Sequence, residues 1–100
     1  MMIEITLDGD KITGKDELHE LFRKRLSLPD YYGNNLDALY DVLSTYFTPV
    51  EITILNRERL CENIPFYGER FLQVLNIAAQ ENESCITIKT ENNDVEEELW

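Results

Sequence analysis

The sequence predicts an α/β domain in which three to four helices pack on a three-stranded parallel sheet. Three short runs of alternating or β-branched apolar residues have the length of strands, and stretches with helical spacing separate them. Because two parallel strands need a long crossover between them, strands that alternate with helices favour a parallel sheet. The length of 100 residues and the hydrophobic content of 43% suit a single domain of this kind.

The first strand and the first helix are distinguished by a change in the period of the apolar residues. Residues 3–8 alternate between apolar and polar side chains, which predicts a strand, and a turn-forming Asp-Gly-Asp run follows. The first helix is expected to begin after Thr13 and to end before Pro29, because proline disfavours the helical conformation at the preceding residue. Its apolar stripe consists of Leu18, Leu21, Phe22 and Leu26.

A second helix is predicted from about Asn35, and the second strand follows it. The preceding loop, residues 29–34, is rich in turn formers and tyrosines. Pro49 ends the helix, and the β-branched run over residues 50–55 predicts the strand. The helix carries one apolar stripe, formed by Leu36, Leu39, Tyr40, Leu43, Tyr46 and Phe47.

The remaining residues predict a second crossover, a last strand and a tail. Residues 57–64 favour a short helix, residues 71–79 a longer amphipathic helix, and residues 85–88 the third strand. Five of the twenty acidic residues, and no basic residue, lie in the last ten positions. We therefore expect a folded domain over residues 1–90 and an acidic C-terminal tail over residues 91–100.

The formal net charge of −11 argues against several classes of function. Direct nucleic-acid binding and binding to anionic membranes are disfavoured, because both need clustered Lys and Arg, and residues 26–56 contain neither. A basic protein partner, a cation or plain solubility would each explain the acidity. No apolar run is long enough for a membrane span and the N-terminus lacks a signal-peptide pattern, so we expect a cytoplasmic location.

Catalytic and metal-binding patterns are weak. The two cysteines, Cys61 and Cys85, have no zinc-type spacing and are expected to be reduced in a cytoplasmic protein. The single histidine, His19, lies beside Leu18 in the first helix, and a structural or exposed histidine is favoured over a catalytic one. No glycine-rich phosphate loop is present. We expect no metal, no cofactor and no enzymatic activity.

The most informative local feature is a pair of aspartates in the second helix. Asp37 and Asp41 are four residues apart and therefore project from one helix face, away from the apolar stripe. Such a face is either simply solvated or a recognition surface for something positive. The tyrosine-rich surroundings favour recognition, since tyrosine is typical of binding surfaces, and they comprise Tyr31, Tyr32, Tyr40 and Tyr46. Of these, Tyr32 and Tyr46 are expected to be mainly buried.

Residues 28–43 resemble a known family. Their sequence, LPDYYGNNLDALYDVL, is similar to the central segment of the barstar family, small bacterial inhibitors of the secreted ribonuclease barnase. Weaker similarity extends over residues 3–90. The resemblance implies a three-stranded parallel sheet with four helices, and an inhibitor whose second helix and preceding loop occlude the active site of a ribonuclease.

Carried over residue by residue, the resemblance assigns roles to seven positions. Asp37 and Asp41 would accept hydrogen bonds from basic active-site groups, with Asp41 standing where a substrate phosphate would lie. Tyr31 would be an aromatic anchor, and Gly33 would let the partner approach the backbone closely. The complete set of expected partner-binding residues is Tyr31, Gly33, Asn35, Asp37, Tyr40, Asp41 and Tyr46.

Three departures from the family pattern leave two hypotheses open. Ile77 stands where the family has an acidic contact residue, Tyr40 replaces a tryptophan, and the acidic tail has no counterpart. The first hypothesis is an intracellular inhibitor of a basic, barnase-type ribonuclease. The alternative is an adaptor with the same fold that binds another basic protein without inhibiting a nuclease.

Overall fold

A computed structural model describes residues 2–91 and shows the predicted α/β architecture. In chain order the elements are β1 (Ile3–Asp8), α1 (Lys15–Arg25), α2 (Leu36–Ser44), β2 (Val50–Leu55), α3 (Arg57–Asn63), α4 (Tyr67–Glu81) and β3 (Ile86–Glu91). Strand β3 begins one residue later than predicted and extends three residues further, so that it includes Glu91, the first residue of the predicted tail. Residues 92–100 lie outside the described part of the chain.

The three strands form one parallel sheet in the order β1-β2-β3. The register places Ile5 beside Ile52 and Ile52 beside Ile88, so apolar residues line up across the sheet. The β2 residues on this face of the sheet, Val50, Ile52 and Ile54, are buried. The opposite face of the sheet carries exposed polar residues such as Thr6 in β1 and Thr87 in β3. The helices therefore cover one face of the sheet, which explains the alternating pattern of the sequence.

The core lies between this buried face and the apolar stripes of the helices. The rings of Phe22 in α1 and Phe71 in α4 pack against each other, with their centroids 5.8 Å apart. Helix α4 buries the stripe expected from its spacing, and α2 buries Leu39 and Leu43. Hydrophobic periodicity was a sound guide to these elements because one face of each is removed from water.

Helix α2 is shorter than predicted, and the placement of Phe47 in its apolar stripe is wrong. The helix ends at Ser44, and the Phe47 side chain is 93% exposed. The terminal carbonyl groups are bound from elsewhere: Asn82 Nδ2 donates to the carbonyl oxygens of Leu43 at 2.9 Å and of Tyr46 at 3.0 Å. Asn82 thus supplies a donor to carbonyl groups that the end of the helix leaves without a helical partner.

Candidate partner-binding site

The loop before α2 and the first turn of α2 are held together by Asn35. Its side-chain oxygen accepts a hydrogen bond from the Ala38 backbone N–H at 2.8 Å, which caps the helix. Its side-chain nitrogen donates to the Gly33 carbonyl oxygen at 3.2 Å. Within the loop, the Tyr32 N–H donates to the Pro29 carbonyl oxygen at 3.0 Å. The segment therefore has a defined conformation in the free protein.

A side chain at position 33 would crowd the amide of Asn35, whereas the backbone conformation at this position does not require glycine. Its φ lies outside the left-handed region, and the neighbouring Asn34 adopts that region instead, with φ 53°. A β-carbon added at Gly33 would lie 2.9 Å from the side-chain nitrogen of Asn35. The absence of a side chain therefore leaves room for the Asn35 hydrogen bonds and also leaves the backbone at this exposed point open to approach.

A buried hydrogen-bonded triad fixes the loop to the core. The Tyr32 hydroxyl lies 2.8 Å from His19 Nδ1, and His19 Nε2 lies 2.5 Å from the Tyr67 hydroxyl in α4. His19 is fully buried, and this burial lowers its pKa, which favours the neutral ring. A neutral imidazole donates to one hydroxyl and accepts from the other, so both ring nitrogens are satisfied. The structural role expected for His19 and the burial of Tyr32 are confirmed.

The two consecutive tyrosines of the loop have opposite environments. Tyr32 is buried, whereas the adjacent Tyr31 is 89% exposed. Burial also raises the pKa of the Tyr32 hydroxyl, so this group remains protonated and able to donate. Because Tyr32 is fixed by the triad, it determines where the neighbouring Tyr31 ring is presented to solvent.

The two aspartates of α2 are exposed and have no basic neighbour in the described part of the chain. Neither Asp37 nor Asp41 takes part in any ion pair formed within residues 2–91. Asp37 lies in the first turn of the helix, where the helix dipole favours an acid. Asp30 in the loop is fully exposed and forms an ion pair with Arg23, with Oδ1 and Nη1 3.7 Å apart, which solvent exposure makes weak. The carboxylates of α2 are thus available to an external cation.

The structure adds an acidic residue that sequence reasoning missed. The Tyr40 hydroxyl donates a hydrogen bond to Glu81 Oε1 at the end of α4, and this contact raises the pKa of Tyr40. Glu81 lies four residues after Ile77, which is 47% exposed, so the two share a face of α4. A carboxylate therefore lies beside the α2 surface even though Ile77 supplies none. The spacing of Ile77 and Glu81 in the sequence could have shown that they share a helix face. Only the packing of α2 on α4, however, brings Glu81 to Tyr40.

Tyr46 and Phe47 form the other border of the surface. Tyr46 is only partly buried, less than expected, and its hydroxyl donates to the Leu26 carbonyl oxygen at 3.1 Å. Phe47, which the spacing places in the apolar stripe of α2, is exposed, and together with Tyr31 it lines an open cleft of 710 Å³. The cleft is lined by Pro29, Tyr31, Val42, Thr45, Tyr46, Phe47 and Thr48.

The side chains of this surface are suited to contact with Arg or Lys side chains of another protein. Exposed carboxylates accept charge-assisted hydrogen bonds from Arg or Lys, and exposed aromatic rings supply contact area. Within residues 2–91 no cluster of three or more His, Cys, Asp and Glu is arranged to hold a metal ion, and Cys61 and Cys85 are free thiols. No helix in the same range is long and apolar enough to cross a membrane.

The fold and the exposed acids define a small acidic α/β domain with two exposed carboxylates on one face of α2. Comparison with known proteins then specifies the family. The family model described as barstar (barnase inhibitor) matches residues 2–94, and the chain belongs to the barstar family. A protein of Bacillus subtilis (strain 168) named "Putative ribonuclease inhibitor YrdF" is 33% identical over 81 residues, which cover 80% of this chain and 89% of the relative. The resemblance found in the sequence is thereby confirmed.

Proposed function

We propose that this protein is an intracellular inhibitor of a basic, barnase-type ribonuclease and acts by occluding the enzyme's active site. Family membership and the name of the Bacillus subtilis relative support ribonuclease inhibition. The observation that carries the proposal is the exposed pair Asp37 and Asp41, which has no basic partner within residues 2–91 and lies on a capped, ordered helix.

The proposed mechanism is electrostatic and steric. A ribonuclease active site is basic because it binds phosphates, and two carboxylates on a rigid helix offer the same charge in a form that cannot be hydrolysed by the enzyme. Asp41 takes the central position and Asp37 a flanking one, while Tyr31, Tyr40 and Tyr46 supply contact area around them. Opposite charges raise the rate of association and align the partners before contact.

The internal bonds of the loop reduce the cost of binding. Gly33 and Asn35 are expected to contact the partner closely, and Asn35 also uses its side-chain oxygen to cap α2. Through this cap Asn35 also orders the loop, together with the Tyr32–His19 contact. A preordered surface loses less conformational entropy on association than a flexible one.

The C-terminal end of α4 distinguishes this protein from the family pattern. Ile77 offers no charge, and Glu81 supplies a carboxylate one turn later, next to Tyr40. We infer that the cognate ribonuclease places its corresponding basic group nearer Glu81 than Ile77. Ionic contact of this kind is specific, because unmatched charges at an interface are costly.

A binding and inhibition assay with purified ribonucleases tests the proposal. We expect inhibition by the unaltered protein, and for Asp41→Ala a loss of at least ~2 kcal/mol in binding free energy, about 30-fold in Kd. Glu58→Ala, which removes an exposed acid from α3, is the matched control and should bind normally. If no barnase-type enzyme binds, or if Asp41→Ala and Glu58→Ala bind equally well, the proposal is wrong.

The alternative is an adaptor that binds another basic protein without inhibiting a nuclease. The specific observation in its favour is Ile77, which removes the acidic contact expected on α4. Isolation of the partner from the host on immobilised protein separates the two functions. A captured ribonuclease whose activity is blocked supports inhibition, whereas a captured basic protein without nuclease activity, released by Asp41→Ala, supports the adaptor.

A further inference from the structure

The two most exposed large apolar side chains of the described residues flank the same cleft. Phe47 is 93% exposed and Tyr31 is 89% exposed. They belong to different segments, the loop before α2 and the segment after it, and both line the 710 Å³ cleft at the end of this helix. Two exposed aromatic rings beside one cleft are an arrangement that a planar side chain can enter.

The exposure of Phe47 does not result from a loose segment. The Phe47 carbonyl oxygen accepts a hydrogen bond from the Cys85 thiol at 3.1 Å, and the Tyr46 carbonyl oxygen accepts one from Asn82 at 3.0 Å. The Thr45 hydroxyl donates to the Asp41 carbonyl oxygen at 2.7 Å. Hydrogen bonds therefore fix the backbone at and before Phe47, and its ring is exposed on an ordered segment.

The charge around the cleft favours a cationic occupant. Thr45, which lines the cleft, lies on the same row of α2 as Asp37 and Asp41, and Asp30 directly precedes Tyr31. Within residues 2–91 no Lys or Arg lines the cleft, although Arg23 Nη1 lies 3.7 Å from Asp30 Oδ1 and offsets part of the charge of that carboxylate. Guanidinium is planar, weakly hydrated and stacks on aromatic rings, whereas the ammonium of lysine is compact and strongly hydrated.

We propose that this cleft binds an arginine side chain of the partner, stacked between Tyr31 and Phe47 with its positive charge toward the aspartates. The inference rests on the proposed function, because the arginine belongs to the basic protein that Asp37 and Asp41 bind. It adds a second, aromatic subsite beside the carboxylates and selects a partner with an arginine, not a lysine, at this place.

The first test uses a probe that does not depend on any ribonuclease. Isotope-labelled full-length protein is titrated with acetyl-arginine methylamide and, separately, with the lysine and citrulline analogues, while backbone amide chemical shifts are recorded. Citrulline has the shape of arginine without its charge. We expect saturable shifts at residues 45–48 with the arginine probe, and at least about fivefold weaker binding of both other probes.

Two aromatic variants provide the control. Phe47→Ala should abolish the response, whereas Phe66→Ala, which removes a ring that is 80% exposed at the start of α4, should retain it. Equal responses to the three probes, no response at residues 45–48, or an unchanged response in Phe47→Ala would each overturn the inference.

The second test separates failure of the subsite from failure of the proposed function. In a complex with an inhibited ribonuclease, Phe47→Ala should raise the dissociation rate about tenfold while Phe66→Ala leaves it unchanged. If Asp41→Ala weakens the complex and Phe47→Ala does not, the subsite is wrong and the inhibitor function stands. If no ribonuclease binds but the arginine probe still requires Phe47, the inhibitor function is wrong and the cleft remains an arginine site.

Discussion

Replacement of Tyr32 by phenylalanine tests whether the buried triad supports both the fold and the site. The substitution keeps the ring, which is only 8% exposed, and removes the hydroxyl that lies 2.8 Å from His19 Nδ1. His19 is fully buried, so the ring nitrogen that loses its partner cannot be resolvated without a change in packing.

The size of the effect follows from this unsatisfied nitrogen. Leaving a buried polar atom without a hydrogen bond costs about 1–3 kcal/mol. A cost of about 2 kcal/mol is a large share of the roughly 5–15 kcal/mol that stabilises a domain. For a domain of this size, it corresponds to a decrease in Tm of roughly 8–16 °C.

Chemical and thermal denaturation of Tyr32→Phe measure this loss. Tyr40→Phe is the control, because its hydroxyl bonds Glu81 at an exposed position and its removal should lower the free energy of unfolding far less. The Tyr32 variant should also bind the partner more weakly, since the loop that carries Tyr31 loses its connection to α1. Equal stabilities for the Tyr32 and Tyr40 variants would refute the structural importance of the triad.

Further substitutions and a pH series give the remaining predictions. Burial lowers the pKa of His19 below its ordinary value of 6.5, so as the pH decreases the unfolded chain binds a proton at this residue before the folded protein does. The free energy of unfolding should therefore fall as the pH decreases below 6.5. Urea titrations at several pH values measure this dependence, which Tyr32→Phe should alter. Asn35→Ala removes the cap of α2 and should cost about 1 kcal/mol in denaturation, and also weaken partner binding. Asn82→Ala removes the side-chain donor to the carbonyl groups of Leu43 and Tyr46, of which Leu43 keeps the Tyr46 backbone N–H, and should cost about 1 kcal/mol, with amide exchange increased at residues 43–47; unchanged exchange would contradict the role of Asn82.

The elements that the sequence predicted well are those whose pattern depends on a single buried face. The stripe of α4 and the alternation in β1 and β2 follow directly from burial against one sheet. The common face of Asp37 and Asp41 also needed no tertiary information, because helix geometry alone places them together. Their assignment to a partner, however, came from the family resemblance and not from spacing.

The features that were missed depend on contacts between distant parts of the chain. Phe47 continues the helical spacing of α2, but Asn82, 36 residues beyond Tyr46, binds the carbonyl groups at the end of that helix. Glu81 meets Tyr40, 41 residues away, only because α2 packs beside α4. No local pattern encodes such pairings, so periodicity placed Phe47 in the apolar stripe of α2 and gave Glu81 no role.

Asp41 is the clearest sign that this surface is selected for something other than stability. It is a poorer helix former than alanine, it faces the like charge of Asp37 one turn away, and it lies in the half of α2 where the dipole disfavours an acid. No Lys or Arg among residues 2–91 forms an ion pair with it. By these local effects, Asp41→Ala should stabilise the free protein by about 0.5–1 kcal/mol while it weakens the complex. Denaturation and binding measurements on this one variant should show higher stability and lower affinity, because the charge of Asp41 is compensated only by a partner. A loss of both stability and affinity would show that Asp41 supports the fold instead.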